Sequence, residues 1–349
     1  RSRRQRQMCI RDSSSIETYA KPERVFVENN CSVSLVGDDV QGIADQMDLP
    51  WPVYAMDSGG MKGSFEAGYF AASLRIEKEM KTKEKIPVSV NVLGLSTVHM
   101  KGREDAEEIR RLLSLCGIRV ISMPGGGSNW EDIMDAPSAS LNIVVRDELG
   151  LSLAKQMERD FGTPYMSSGL PYGTDGTMTW LSEIIEKLGA GELTRASHEA
   201  AKLKEFLLRK GNNLESLWGP LWFDAVLISA PPSEALGIAE AIRSEWIDTA
   251  RLCIHAQCET EKSTPAADAI RVVMKNEKEI AKDYEDWQGG LVLSSSHETH
   301  LLRRMGRSFT GFHIALPSHD EVHFSDLPQC GLRGAGYLYE QLWNAKLRK

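Results

Sequence analysis

From residue 24 onward the chain alternates short β-branched or apolar runs with amphipathic stretches, and this alternation constrains the fold more than any other feature. Strand-sized runs separated by helix-sized segments build βαβ units, in which strands pair parallel and helices cover the sheet faces. RVFVE (24–28) and PVYAM (52–56) read as strands around a helix over GDDVQGIADQM (37–47), with acidic residues expected in its first turn, where the helix dipole favours them. A long helix over 64–81 follows a glycine-rich turn. A second series starts at Pro87, with strands over 88–93, 118–123 and 140–145 and helices over 103–116, 130–135, 149–161 and 174–188. In the first of these helices Ile109, Leu112, Leu113 and Cys116 share one face, and Gly117 stops it. A linker helix over 192–210 leads to a third series, with strands over 223–230, 250–255, 290–294 and 311–316, a helix over 232–245 and a closing helix over 334–347.

The pattern predicts an α/β chain of tandem Rossmann-like, doubly wound domains with parallel sheets. Residues 14–86 would be the remainder of a first domain, 87–191 a second, and 192–349 the linker helix, a third domain and the closing helix. Residues 1–13, RSRRQRQMCIRDS, carry no hydrophobic period and are expected to be a non-native leader that replaces part of the true N-terminal region; a native basic arm is the alternative.

Composition narrows the function classes. Apolar residues make up 42% of the 349, enough for sizeable cores, and the longest apolar run, 223–230, is far short of the ~20 residues that span a bilayer. Basic residues number 41 against 49 acidic, with no long basic block after the first residues, so neither nucleic acid nor membrane is an expected partner. Six scattered cysteines and no apolar leader point to a reducing compartment, hence a cytoplasmic protein.

The first chemical candidate is Cys31, in NNCSVSLVGDD, between a strand and a helix start. The carboxyl ends of parallel strands are where such sheets place ligands, and a helix N-terminus favours the thiolate that binds metal; a small buried hydrophobe is the bland alternative. In DSGGMKGSFEAGY, Gly59, Gly60 and Gly63 precede a helix and could cradle an anion with Lys62 assisting, or simply form a tight turn or cavity wall. The spacing matches neither nucleotide-binding glycine motif. PGGGS (124–128) reads as a loop. CIHAQC (253–258) lacks the second cysteine pair of a zinc site, and His297 and His300 in HETH are not H-E-x-x-H. Arg146, Asp147 and Glu148 follow a buried strand, either as substrate contacts or as a solvated helix start.

CSVSLVGDDVQGIA (31–44) resembles the nitrogenase component 1 signature of a cysteine, a short apolar run and GDD opening a helix. DAPSASLNIVV (135–145), FGTPYMSSGLPYGTDGTMTWLSEI (161–184) and FHIALPSHDEVHFSDLPQCGLRGAGYLYEQLWN (312–344) are similar to the family's middle domain, closing strand, cofactor-side loop and final helix, in the same order. The resemblance covers about residues 22–347. It implies a three-domain subunit with an iron–sulfur cluster, 4Fe-4S or larger, shared with a partner subunit, and Cys31 as the one ligand that carries over. Thiolates suit such clusters, and one cysteine cannot hold a cluster alone. The implied partners are a second component 1 type subunit, the same or different, and an ATP-dependent iron protein reductase. The implied activity is an oxidoreductase subunit passing electrons to a bound substrate or metallocofactor.

Departures from the family bear on the substrate. Where nitrogen-reducing α subunits carry a cofactor cysteine after the LN-x-V strand, this chain has Arg146. The α-subunit histidine ligand aligns with neither His319 nor His323 but nearest Glu321. The resemblance therefore implies a β-like subunit, a cofactor-assembly relative or a reductase of another substrate, such as a tetrapyrrole. On this reading Cys31, Gly59, Gly60 and Lys62 would surround the cluster or cofactor, and Arg146, His319 and His323 would line a catalytic cavity. A non-catalytic scaffold for metallocofactor assembly is the second reading, and a paired-domain binding protein a third.

Overall fold

The computed structural model describes residues 22–28, 31, 39–46, 49–56, 60–61, 63–260, 262–272, 281–282, 284–285, 287 and 289–348. The chain divides into two compact units, residues 1–79 and 80–349. Residues 1–13, Gly59 and Lys62 lie outside the described residues.

In the first unit β1 (Val25–Glu28) pairs parallel with β2 (Val53–Met56). Helix α1 (Val40–Asp45) lies between them in sequence, and Gln41 stitches it to β2, accepting from the Ala55 N–H at 2.9 Å and donating to the Val53 carbonyl at 3.0 Å. The acidic residue expected inside its first turn is instead its cap: the Asp39 carboxylate accepts from the Gly42 N–H at 2.8 Å. Helix α2 (Phe65–Glu77) starts on a Ser64 cap and is shorter than the amphipathic pattern suggests.

The second unit holds two parallel sheets. The four-stranded one has the order β4-β3-β5-β6, from β3 (Ile86–Leu93), β4 (Arg119–Ser122), β5 (Ala139–Val144) and β6 (Tyr165–Ser167). The five-stranded one has the order β11-β10-β7-β8-β9, from β7 (Trp222–Ala230), β8 (Asp248–Ala256), β9 (Ala269–Val272), β10 (Leu291–Ser294) and β11 (Thr310–His313). β6 and β9 were not expected; at three and four residues they are too short to show a period. The connecting helices are α3 (Gly102–Leu115), α4 (Trp130–Asp135), α5 (Asp147–Phe161), α6 (Thr174–Leu188), α7 (Thr194–Trp218), α8 (Pro232–Ala241), α9 (Ser296–Arg304) and the closing α10 (Gly331–Leu347). No helix among the described residues is long and apolar enough to cross a membrane.

One hydrophobic core runs through both sheets of this unit. It takes in Val90, Ile109, Leu112 and Leu113 from the first series and Val226, Ile228, Ile254 and Trp343 from the second. Each such side chain contributes about 1.5–3 kcal/mol on burial, so the two series are bound together by apolar area. Buried asparagines join neighbouring strands: Asn91 donates to the Asn142 side-chain oxygen and to the Ala136 carbonyl, each at 2.8 Å. Two glycines of CGLRGAG, Gly331 and Gly334, are required sterically where α10 docks. Gly331 sits at φ +74°, where a Cβ would stand 2.5 Å from Glu108 Cγ, and a Cβ at Gly334 would stand 2.4 Å from the Gln329 carbonyl.

Candidate functional site

In the first unit, Cys31 is half-buried, and a Cβ on Gly60 would come 3.7 Å from its Sγ. That is ordinary van der Waals distance, so the Gly60 backbone is a neighbour of the sulfur but glycine is not required there. Gly60 and Gly63 line a cavity of about 640 Å³ with Met56, Ser64, Tyr69 and Arg75. Cys116, Cys253 and Cys330 are buried, and burial pushes the Cys116 and Cys330 thiols up, so neither serves readily as a thiolate. Cys258 is half-buried, and CIHAQC assembles no metal-binding group among the described residues; His255 instead stacks on Tyr284 at 5.4 Å. Cys31, half-buried, is open enough to meet a ligand, and a cluster would need further thiolates from elsewhere.

In the second unit, the carboxyl ends of β5 and β7 meet in a buried charge network. Arg146, 0% exposed, does not line a cavity as expected. Its Nε and Nη2 donate to Glu234 Oε1 at 2.9 and 2.7 Å, and Asp105 Oδ2 lies 3.9 Å from Nη2. An ionised guanidinium cannot stay in an apolar core without such partners, and these come from α8 and α3. Burial disfavours the cation, but Glu234, Tyr172 and Asp105 outweigh it and hold the guanidinium above its ordinary pKa. Asp105 also accepts from the Gln329 and Cys330 N–H groups at 2.7 and 3.0 Å, and burial raises its pKa to about 6. Glu148 accepts from the Ser233 hydroxyl at 2.5 Å, and Asp147 pairs with Lys262 at 2.6 Å. Arg146, Asp147 and Glu148 are thus neither a substrate loop nor a solvated helix start; they join the two sheets. Glu245, in the π turn Ile242–Trp246, adds a second joint by capping α6 with acceptors for the N–H groups of Thr174, Asp175 and Gly176 at 2.6, 2.9 and 3.1 Å.

At the carboxyl edge of the five-stranded sheet, residues 314–330 fold back over the end of β11. His319 is exposed, its ring edge-on to that of His297 at 6.5 Å. His323 instead turns inward and meets two residues that the sequence did not single out as ligands, His313 and Glu321. His313, the last residue of β11, is 1% exposed; its Nδ1 is 2.8 Å from Ser318 Oγ and 3.8 Å from Glu321 Oε2. His323 Nε2 is 3.1 Å from the same Ser318 Oγ and 3.8 Å from the same carboxylate oxygen. Glu321 is oriented by accepting from the His313 N–H at 3.1 Å. Burial lowers the His323 pKa, with Glu321 opposing that shift. The available signal was a histidine ending a strand, followed by a loop containing E-x-H; strand and loop meet only in the fold.

Two parallel doubly wound sheets sharing one core, with polar residues gathered at their carboxyl edges, define a tandem Rossmann-like α/β protein of the kind that binds ligands at strand ends. The sequence pattern of nitrogenase component 1 type oxidoreductases matches residues 14–347, and the chain belongs to that family. It is 25% identical over 350 residues to a subunit of the light-independent protochlorophyllide reductase of Chloroherpeton thalassium, covering 94% of this chain and 64% of that protein. It is 31% identical over 200 residues to the nitrogenase iron-molybdenum cofactor biosynthesis protein NifE of Clostridium pasteurianum, covering 56% of this chain and 41% of that protein. The chain thus spans just under two thirds of the length of its protochlorophyllide reductase relative. The solved structure of nitrogenase Cp1 at pH 6.5 superposes with a TM-score of 0.71 at 17% identity, over 96% of this chain and 77% of that one, which shows the shared fold.

Proposed function

We propose that this chain is a subunit of a nitrogenase-like component 1 assembly in which Cys31 is one thiolate ligand of an iron–sulfur cluster shared with a second component 1 type subunit. The observation that carries the reading is Cys31 itself: a half-buried thiol at the motif position, in a chain of this family. When bound, such a cluster supplies one-electron transfer. The chain's own part is to present the sulfur and to hold its sheets rigid through Arg146, Glu234 and Asp105. Electrons would come from an ATP-dependent iron protein and serve a bound substrate or metallocofactor, with a tetrapyrrole as one substrate class, in keeping with the protochlorophyllide reductase likeness.

A non-catalytic scaffold for metallocofactor assembly is the second reading. The 31% identity to a cofactor biosynthesis protein favours it. Anaerobic co-purification with the partner subunit tests both. The expected product is a brown complex with iron–sulfur absorption that loses most of its iron in Cys31→Ala. Unchanged iron content in the variant overturns the ligand assignment. Retention of the metal through substrate turnover supports the oxidoreductase, and its transfer to an acceptor apoprotein supports the scaffold.

A further inference from the structure

The loop over β11 has the makings of a second metal site, independent of Cys31. One ligand atom from each of His313, Glu321 and His323 lies within 4.8 Å of the others. Two imidazoles and one carboxylate form the donor set that three-ligand zinc sites and non-haem ferrous sites use. Tetrahedral zinc with ligand bonds of about 2.0–2.1 Å sets its ligands roughly 3.4 Å apart. Glu321 Oε2 stands 3.8 Å from each imidazole nitrogen, a few tenths of an ångström beyond that spacing, and the two nitrogens are within 4.8 Å of each other.

The surroundings orient the donors. The far nitrogen of His313, Nε2, faces Asp320 Oδ1 and Thr299 Oγ1, each at 3.4 Å. Asp320 is itself fixed by the Ser296 hydroxyl at 2.9 Å and by the Arg303 guanidinium. A proton on Nε2, facing this carboxylate, would leave the lone pair on the inner nitrogen, as in metal-bound histidines that are oriented by an outer carboxylate. That inner nitrogen, Nδ1, points to Ser318 Oγ, which stands 2.8 Å from it and 3.1 Å from His323 Nε2. The hydroxyl thus bridges both imidazoles at the point where an ion or its fourth ligand would sit. Glu321 and His323 are 30% and 22% exposed, which leaves an entry path from solvent.

We propose that His313, Glu321 and His323 bind a single divalent first-row transition ion, with Ser318 or water as fourth ligand and Asp320 as the positioning carboxylate. Three protein ligands with one replaceable position suit a site that handles an oxygen ligand better than a closed structural site.

The test is titration of the full, tag-free, chelator-treated chain with Co2+, followed by visible absorption and by Zn2+ competition. One equivalent should bind with ligand-field bands and no thiolate charge transfer, and it should bind equally to Cys31→Ser. His323→Ala and Glu321→Gln should each weaken binding at least tenfold, and Asp320→Asn about tenfold, because it loosens the orientation of the His313 ring. Zn2+ should raise the melting temperature of the wild type and leave that of His323→Ala unmoved, a comparison that separates loss of the site from loss of folding. Equal Co2+ affinity in a His323→Ala/Glu321→Gln double variant overturns the proposal, as does binding that disappears with Cys31. Either result leaves the iron content of the partnered complex, and so the Cys31 assignment, to be judged separately.

Discussion

Glu234→Gln isolates the charge of the buried joint between the sheets while keeping an oxygen acceptor for Arg146. The wild-type pair has Arg146 Nη2 2.7 Å from Glu234 Oε1, with the two side chains 0% and 3% exposed. At an effective dielectric near 20, that separation corresponds to about 6 kcal/mol of attraction. The desolvation of the two buried charges, which Glu234→Gln relieves for the carboxylate, offsets about 2–3 kcal/mol of it, while Asp105, 3.9 Å from the same nitrogen, still faces the cation in both proteins. A net loss of about 3–4 kcal/mol follows, within the range for removing one partner of a buried pair. Arg146→Met should cost about as much, because two buried carboxyls then lack their cation. The double variant Arg146→Met/Glu234→Met should be more stable than either single variant, since two apolar side chains need no partners, although Asp105 still lacks its cation. Guanidinium unfolding followed by fluorescence of the buried Trp180, Trp246 and Trp343 measures all four proteins. Singles within about 1 kcal/mol of wild type, or a double as unstable as the summed singles, would refute the joint.

The raised pKa of Asp105 predicts a pH dependence of opposite sign to ordinary acid unfolding. The native state binds its proton more tightly than the unfolded chain does, so this contribution to stability is fully present below about pH 4 and declines as pH rises to about 6. Its full size is about 3 kcal/mol, and Asp105→Asn, which keeps an oxygen for the Gln329 and Cys330 N–H groups, should flatten it in denaturant midpoints measured from pH 4 to 7.5. Glu245→Ala removes the two carboxylate oxygens that accept three N–H groups at the start of α6 and should cost about 1–2 kcal/mol, with faster amide exchange at Thr174–Gly176; unchanged exchange there would show that the cap is idle.

The alternation of strand and helix, the apolar face of α3 and the glycine after it are local properties, because backbone period and side-chain burial are written residue by residue. From them the sequence alone determined the parallel α/β class and nearly all the helices, and its motifs in order pointed to the family. Cys31 stands out for the same reason, as a cysteine in a short motif, and its role as a ligand is the reading proposed above. Tertiary structure alone decided what the polar residues do. Arg146 looks like any residue at a strand end until Glu234, 88 residues away, encloses it. His313 and His323 are ten positions apart, and Glu245 lies about seventy from the N–H groups it caps. Pairings of this kind depend on which strand ends the sheet order brings together, and a charge or an imidazole carries no local sign of the partner that will bury it.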